Sequence, residues 1–189
     1  RDGALLLWVR DWGIDAVHAS PPCQAHSAGK NMWKGRLPDD RHPELIGPTR
    51  ELLIATGLPY VIENVVGAPL VDPVTVCGTS LGLGVKRHRP FESNVALMVP
   101  PCDGHAGFVV SVFGGGALSR TPNRGGARDP ETGRHSTMQR RVHVAHDEAK
   151  VHMGIDWMNR DELSEAIPPA YTELIGHQLL AHVQAEAVA

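Results

Sequence analysis

Cysteine is scarce in this chain: Cys23, Cys77 and Cys102 are the three among 189 residues. Three is an odd, sparse set, which excludes a disulfide framework and suits a reducing cytoplasm. Aromatic residues are also few, at 5% of the chain, and no internal repeat is visible. No apolar run approaches the ~20 residues of a membrane helix, and no signal peptide opens the chain, so no membrane partner is expected. The glycine cluster Gly114-Gly115-Gly116 lacks the Gly-Lys-Ser/Thr ending and the following helix of a phosphate loop. The N-terminus, Arg1-Asp2-Gly3, carries no initiator methionine, which points to a fragment or a processed chain.

The composition is that of a globular protein, 42% hydrophobic and 21% charged. The length allows one domain with a real core, or a core plus a small lobe. The net charge of -3 hides an asymmetry. Residues 86–150 carry ten Lys+Arg against six Asp+Glu, whereas residues 151–189 carry one against six. A basic middle in an acidic chain suits a surface that faces a polyanion, and equally a solvated basic loop.

Periodicity predicts an α/β fold. Leu5 to Val9 reads as helix with a stop at Asp11-Trp12-Gly13, and Ile14 to His18 reads as the first strand. Residues 27–41 read as a long polar loop. Pro43 to Thr56 has helical periodicity and closes on Gly57, with Pro59 beyond. Tyr60 to Val66, Val74 to Gly78 and Val85 to Phe91 read as three further strands. Strand, helix and strand in this order imply a right-handed βαβ unit and a parallel sheet. Residues 151–166 read as helix. Pro168-Pro169 starts a last helix, Tyr171 to about Val188, with Leu174, Ile175, Leu179 and Val183 on one face.

Three places carry candidate chemistry. The first strand runs into Pro21-Pro22, which can neither continue a ladder nor enter a helix without a bend. Cys23 comes next, so its thiol is held on a stiff turn at the carboxyl end of a strand, where open α/β sheets place their ligand crevice. That position suits a nucleophile; taken alone, a buried cysteine beside a proline turn explains it as well. The second place is Glu63-Asn64 near the end of a buried strand. A buried carboxylate is costly unless paired or employed, and burial would let Glu63 hold a proton near neutrality. Asn64 is placed to orient it or to hold the turn after Pro22. The third is Arg87-His88-Arg89. Strand alternation puts both arginines on one side, where they suit a carbonyl oxygen and a phosphate, or a salt-bridged edge.

Together these residues resemble the cytosine-C5 DNA methyltransferase family, closest to the short enzymes of bacteriophages and their bacterial hosts. Pro21-Pro22-Cys23-Gln24 matches the nucleophile motif, Glu63-Asn64-Val65 the second, and Arg87-x-Arg89 with Phe91 the third. Gly176-His177-Gln178 looks like a degenerate form of the Gly-Asn turn that opens the family's closing helix. The resemblance spans almost the whole chain. It implies a Rossmann-like core, lacking its N-terminal cofactor-binding strands, with a small loop-rich insert. Residues 1–92 would be the catalytic core with the nucleophile loop, 93–150 the target-recognition insert, and 151–189 a helical return to the core. It implies a cytoplasmic enzyme that transfers a methyl group from S-adenosylmethionine to cytosine in double-stranded DNA. Cys23 would add to C6, Glu63 would act at N3, and Arg89, with Arg87, would hold O2. Gln24 and Ser27 would touch the substrate, as would Arg120, Arg124 and Arg128 of the insert. Asp2 and Pro21 would touch the cofactor.

The chain departs from the family at three points. Val85 stands where a Gln precedes Arg-x-Arg, and His177 where Asn is usual. The Gly-rich loop for S-adenosylmethionine is absent, so a further N-terminal segment or a second chain is expected to complete that site. Two alternatives stay open: a tRNA cytosine-5 methyltransferase, and a cofactor-less remnant that binds DNA without catalysis. Amino-group methyltransferases share Ser20-Pro21-Pro22 but need an aromatic where Cys23 stands. Pro100-Pro101-Cys102 repeats the tripeptide, but Asp103-Gly104-His105 comes after it and it reads as a loop. Cys77, Cys102, His105 and nearby histidines are zinc-ligand types without the usual paired spacing, so no metal is expected.

Overall fold

The computed structural model describes residues 9, 11–26, 43–102, 104–105, 109–112, 141–143 and 146–188. The chain is mixed α/β. It divides into two compact units, one of residues 1–76, 88–99 and 174–189 and the other of residues 77–87 and 100–173.

The first unit is built on a four-stranded sheet in the order β1-β2-β4-β3. These strands are β1 (Val17–Ala19), β2 (Tyr60–Glu63), β3 (Val74–Cys77) and β4 (His88–Ser93). β1 and β2 are parallel, with Val17 opposite Tyr60 and Ala19 opposite Ile62. Helix α1 (Ile46–Thr56) connects them, as the strand-helix-strand pattern predicts. β4 runs antiparallel to β2, with Ile62 opposite Glu92 and Glu63 opposite Phe91. The sheet is therefore mixed, a correction to the expected parallel one. The chain returns beside β2 through the short β3 and a single 3-10 turn (Thr79–Leu81), too little to make a helical crossover.

β2 is central and buried along its whole length, its glutamate included. One face of the sheet presents Val17, Ala19, Tyr60 and Ile62, which pack with Leu53 of α1 and with Leu70. Arg50 of α1 pairs bidentately with buried Glu92 of β4, Nε to Oε1 at 2.5 Å and Nη2 to Oε2 at 2.7 Å. Period-two alternation sends His18, Val61, Glu63, Arg89 and Phe91 to the other face. There the rings of His18 and Phe91 stand 6.3 Å apart.

The second unit has its own core of Val85, Val110, Ala149, Met153, Ile155 and Leu163. It contains the parallel pair β5 (Val109–Ser111) and β6 (Arg141–His143) and helices α2 (His146–Met153) and α3 (Arg160–Glu165). The single helix expected over 151–166 is two, for reasons visible in the residues. Gly154, at φ 67°, ends α2 in a left-handed turn in which Ile155 N–H reaches the Lys150 carbonyl at 3.1 Å. Asn159 then opens α3 with a reciprocal capping box to Glu162. The last helix, α4 (Pro169–Glu186), starts at the proline as expected, with Tyr171, Ile175 and Leu179 buried. Gly176-His177-Gln178 lies in the middle of α4 and not at a turn. Gln178 clasps the Met98 backbone instead, accepting from its N–H at 2.7 Å and donating to its carbonyl at 3.0 Å. Among the described residues, no helix is long and apolar enough to cross a membrane.

Candidate active site

Parallel pairing makes β1 and β2 end together, so the residues just beyond each strand meet at one edge of the sheet. After β1 the chain turns through Pro21-Pro22 to Cys23. After β2 comes Asn64, 1% exposed. Its side chain joins the two ends: Nδ2 donates to the Pro21 carbonyl at 2.9 Å, and Oδ1 accepts from Val65 N–H at 2.9 Å. Asn64 N–H also reaches the Pro90 carbonyl of β4 at 3.2 Å. Asn64 thus ties the Cys23 turn to the end of β2 through its side chain and to β4 through its backbone N–H.

Cys23 is half-buried and opens a tight turn closed by His26 N–H on the Cys23 carbonyl at 2.9 Å. The His26 ring lies 3.5 Å from Glu44 Oε1. The Glu44 carboxylate also accepts from Ile46 N–H at 2.6 Å and Gly47 N–H at 3.2 Å, at the start of α1. A carboxylate there meets the positive end of the helix dipole. The Cys23 turn is therefore fastened before it by Asn64 and after it by the helix N-terminus. Gln24 is exposed on the same turn.

Antiparallel pairing starts β4 where β2 ends. Arg89 consequently lies beside Glu63, with Nε 3.0 Å from Oε1, and the two side chains are 10% and 8% exposed. The carboxylate that is too costly to bury alone is thus paired, on the face of the sheet opposite α1. His18 lies on that same face, and sequence reasoning misses it; its alternation with Val17 and Ala19 is the available signal.

Arg87 lies one residue before β4 and is buried in step with Arg89, with His88 between them half-buried. Its guanidinium is 1% exposed and donates from Nη2 to the Ser164 carbonyl at 3.0 Å. Its own carbonyl accepts from the Tyr171 hydroxyl. Arg87 thus bonds to the Ser164 carbonyl within the second unit, and Arg89 pairs with Glu63. Asp2, Ser27, Arg120, Arg124 and Arg128 lie outside the described residues. Gly78, just after β3, serves packing: a Cβ there would lie 2.3 Å from the Val85 carbonyl oxygen. No protein-family model matches the chain, and no curated protein matches it.

Proposed function

We propose that this chain carries the base-handling site of a DNA cytosine-5 methyltransferase, on a core of Rossmann-like type. The observation that supports this reading is the convergence at the β1 and β2 ends. The Asn64–Pro21 bond at 2.9 Å fastens the Cys23 loop where the Glu63–Arg89 pair, at 3.0 Å, closes the neighbouring strands. A thiol on a held turn, a buried acid and a cation are the groups needed to activate cytosine at C5.

The target base leaves the duplex to reach the site, because C6 is inaccessible in the stack. The Cys23 thiolate forms a bond to C6. The C5=C6 pair shifts toward C4, and the C4=N3 pair moves onto N3, which takes a proton from Glu63. Arg89 donates to O2 and holds the ring against Glu63. C5 is then an enamine carbon, able to take an electrophile. Loss of the C5 hydrogen as a proton restores C5=C6 and expels the thiolate, and N3 returns its proton to Glu63 as C4=N3 re-forms.

The resemblance implies S-adenosylmethionine as the methyl donor. A nucleoside cofactor of this kind is usually cradled by a glycine-rich turn between strand and helix. Among the described residues, β1 leads instead into Pro21-Pro22, and Gly78 after β3 is taken up by packing. These residues do not fit the cofactor, and calorimetry with the chain alone should show no micromolar binding of it. Arg120, Arg124 and Arg128 are candidates for phosphate contacts to the duplex.

The test is a covalent one. Duplex DNA with 5-azacytosine in place of cytosine has an electrophilic C6 and no C5 hydrogen to lose. The chain should form an adduct on the Cys23 peptide, identified by mass spectrometry. An adduct with RNA and none with DNA would reassign the substrate to tRNA. No adduct with either, or one on another cysteine, would overturn the reading.

A further inference from the structure

The second unit gathers side chains that the proposed methyl-transfer chemistry does not use. β3 ends at Cys77, which is fully buried. Residues 100–102 and 104–105 lie near it, with the Ser80 hydroxyl donating to the Pro101 carbonyl at 2.9 Å. His105 Nε2 then lies 3.2 Å from Cys77 Sγ and 3.2 Å from Cys102 Sγ. One ligand atom from each of Cys77, Cys102 and His105 lies within 4.8 Å of the others.

Three physical features bear on the role of this group. First, an imidazole Nε2 carries one proton or one lone pair, so it cannot bond two sulfurs equally well. A cation between the three atoms satisfies all of them. Second, the dimensions are close to those of such a site. Zn–S bonds of about 2.3 Å and Zn–N bonds of about 2.0–2.1 Å at tetrahedral angles put ligand atoms roughly 3.6–3.8 Å apart. The 3.2 Å contacts need to widen by only a few tenths of an ångström. Third, His105 has φ 64° and comes after Gly104 at φ 76°. A non-glycine residue in the left-handed region is held there by its surroundings, and such residues concentrate at ligand clamps. His105 is also only 5% exposed, so the twisted backbone drives its imidazole inward against the two sulfurs.

We propose that Cys77, Cys102 and His105 form a zinc site within the second unit. Two thiolates and an imidazole are the borderline-soft donor set zinc prefers, and the two thiolate charges neutralise the ion. The metal would fasten Cys102 and His105 to the end of β3. Each thiol gives up its proton as its sulfur binds, so uptake is favoured by rising pH. The sequence offers these ligand types without the usual paired spacing, because only Cys102 and His105 are close in the chain; Cys77 comes from the end of β3. The inference is independent of the methyltransferase reading.

The experiment uses the full chain, purified under reducing conditions, with zinc and then cobalt(II) as probes. Elemental analysis should find one zinc per chain. Cobalt(II) added to the metal-free protein should give the visible bands of a tetrahedral site with sulfur-to-metal charge transfer. Cys102 is exposed, so Cys102→Ser removes no core packing; it should halve the charge-transfer intensity and release zinc to a chelator. Cys77→Ser and His105→Gln should lose the metal, whereas Cys23→Ala should keep it in full. A wild-type chain that takes up neither metal, or a Cys102→Ser spectrum identical to wild type, would overturn the site. So would loss of the metal in Cys23→Ala.

Discussion

Two acid–arginine pairs sit on opposite faces of the same small sheet, and they differ in surroundings rather than in chemistry. Glu92 faces α1. Both of its oxygens are used by Arg50, and Oε2 also accepts from Val71 N–H at 2.8 Å. Arg50 in turn donates to the Pro69 carbonyl at 2.9 Å. This pair sews a helix and a loop onto β4. Glu63 is one register step away on β2, so its side chain points to the other face. There it meets Arg89 at the strand end that also carries Asn64 and the Cys23 turn. Burial and pairing alone do not mark a functional acid, because Glu92 is buried and paired as well. Glu63 differs in lying at the strand end where Asn64 holds the turn that carries Cys23.

The sharpest way to break this contrast is to remove each acid's function separately. Glu63→Gln keeps an acceptor for Arg89 but cannot deliver a proton to N3. It should lower turnover at cytosine C5 by about 10²–10⁴-fold. Its stability should fall by only about 1–2 kcal/mol in urea unfolding. Arg50→Met should do the opposite. It strands Glu92 at 3% exposure and should cost about 3 kcal/mol, the low end for a broken buried pair because Arg50 is itself partly exposed. The reaction rate per folded molecule should stay at wild type. Equal losses of rate and stability in both variants would erase the distinction.

Acid titration sharpens the same contrast. Burial alone would push the Glu92 carboxyl up, but the Arg50 hydrogen bonds, the Val71 N–H and the Arg50 charge together hold it below its ordinary value of 4.5. The folded chain therefore binds this proton more weakly than the unfolded chain does. The stabilisation is complete above the ordinary value and is lost as pH falls through the lower, folded-state value. Wild-type stability should fall in that acid window, and Arg50→Met should show a shallower fall. A variant whose acid limb matches wild type would show that other groups govern it. The smallest expected effect belongs to Asn64→Ala. Losing the bond to Pro21 loosens the Cys23 turn and should slow the reaction roughly threefold to tenfold.

Much of this architecture is legible in the sequence because it is local. The proline turn before Cys23, the α1 boundary at Gly57 and the start of α4 at Pro169 each depend on one or two residues with few conformational options. Glu63 stands out because a carboxylate interrupts an apolar strand, and Arg89 because it lies two residues from Phe91. Arg87 is buried in step with Arg89 as alternation suggests, but its bond to the Ser164 carbonyl, 77 residues away, is not recorded in any local pattern. Gly176 resembles a turn residue, although tertiary packing carries α4 straight through it. Glu92–Arg50 is not legible, and Cys77 and His105 are legible as ligand types but not as neighbours, since the partners stand 42 and 28 residues apart. Nothing in a linear pattern records which distant residues the sheet register brings face to face.

The central claim is that Cys23 adds to cytosine C6 with Glu63 and Arg89 holding the ring. Reversible addition makes the C5 hydrogen exchangeable, whether or not a methyl donor is bound. The direct measurement is tritium release to water from random-sequence duplex DNA labelled at cytosine C5. The account predicts release by the wild-type chain and none by Cys23→Ala with an unchanged circular dichroism spectrum. Release that survives Cys23→Ala, or no release by the wild type, would contradict it.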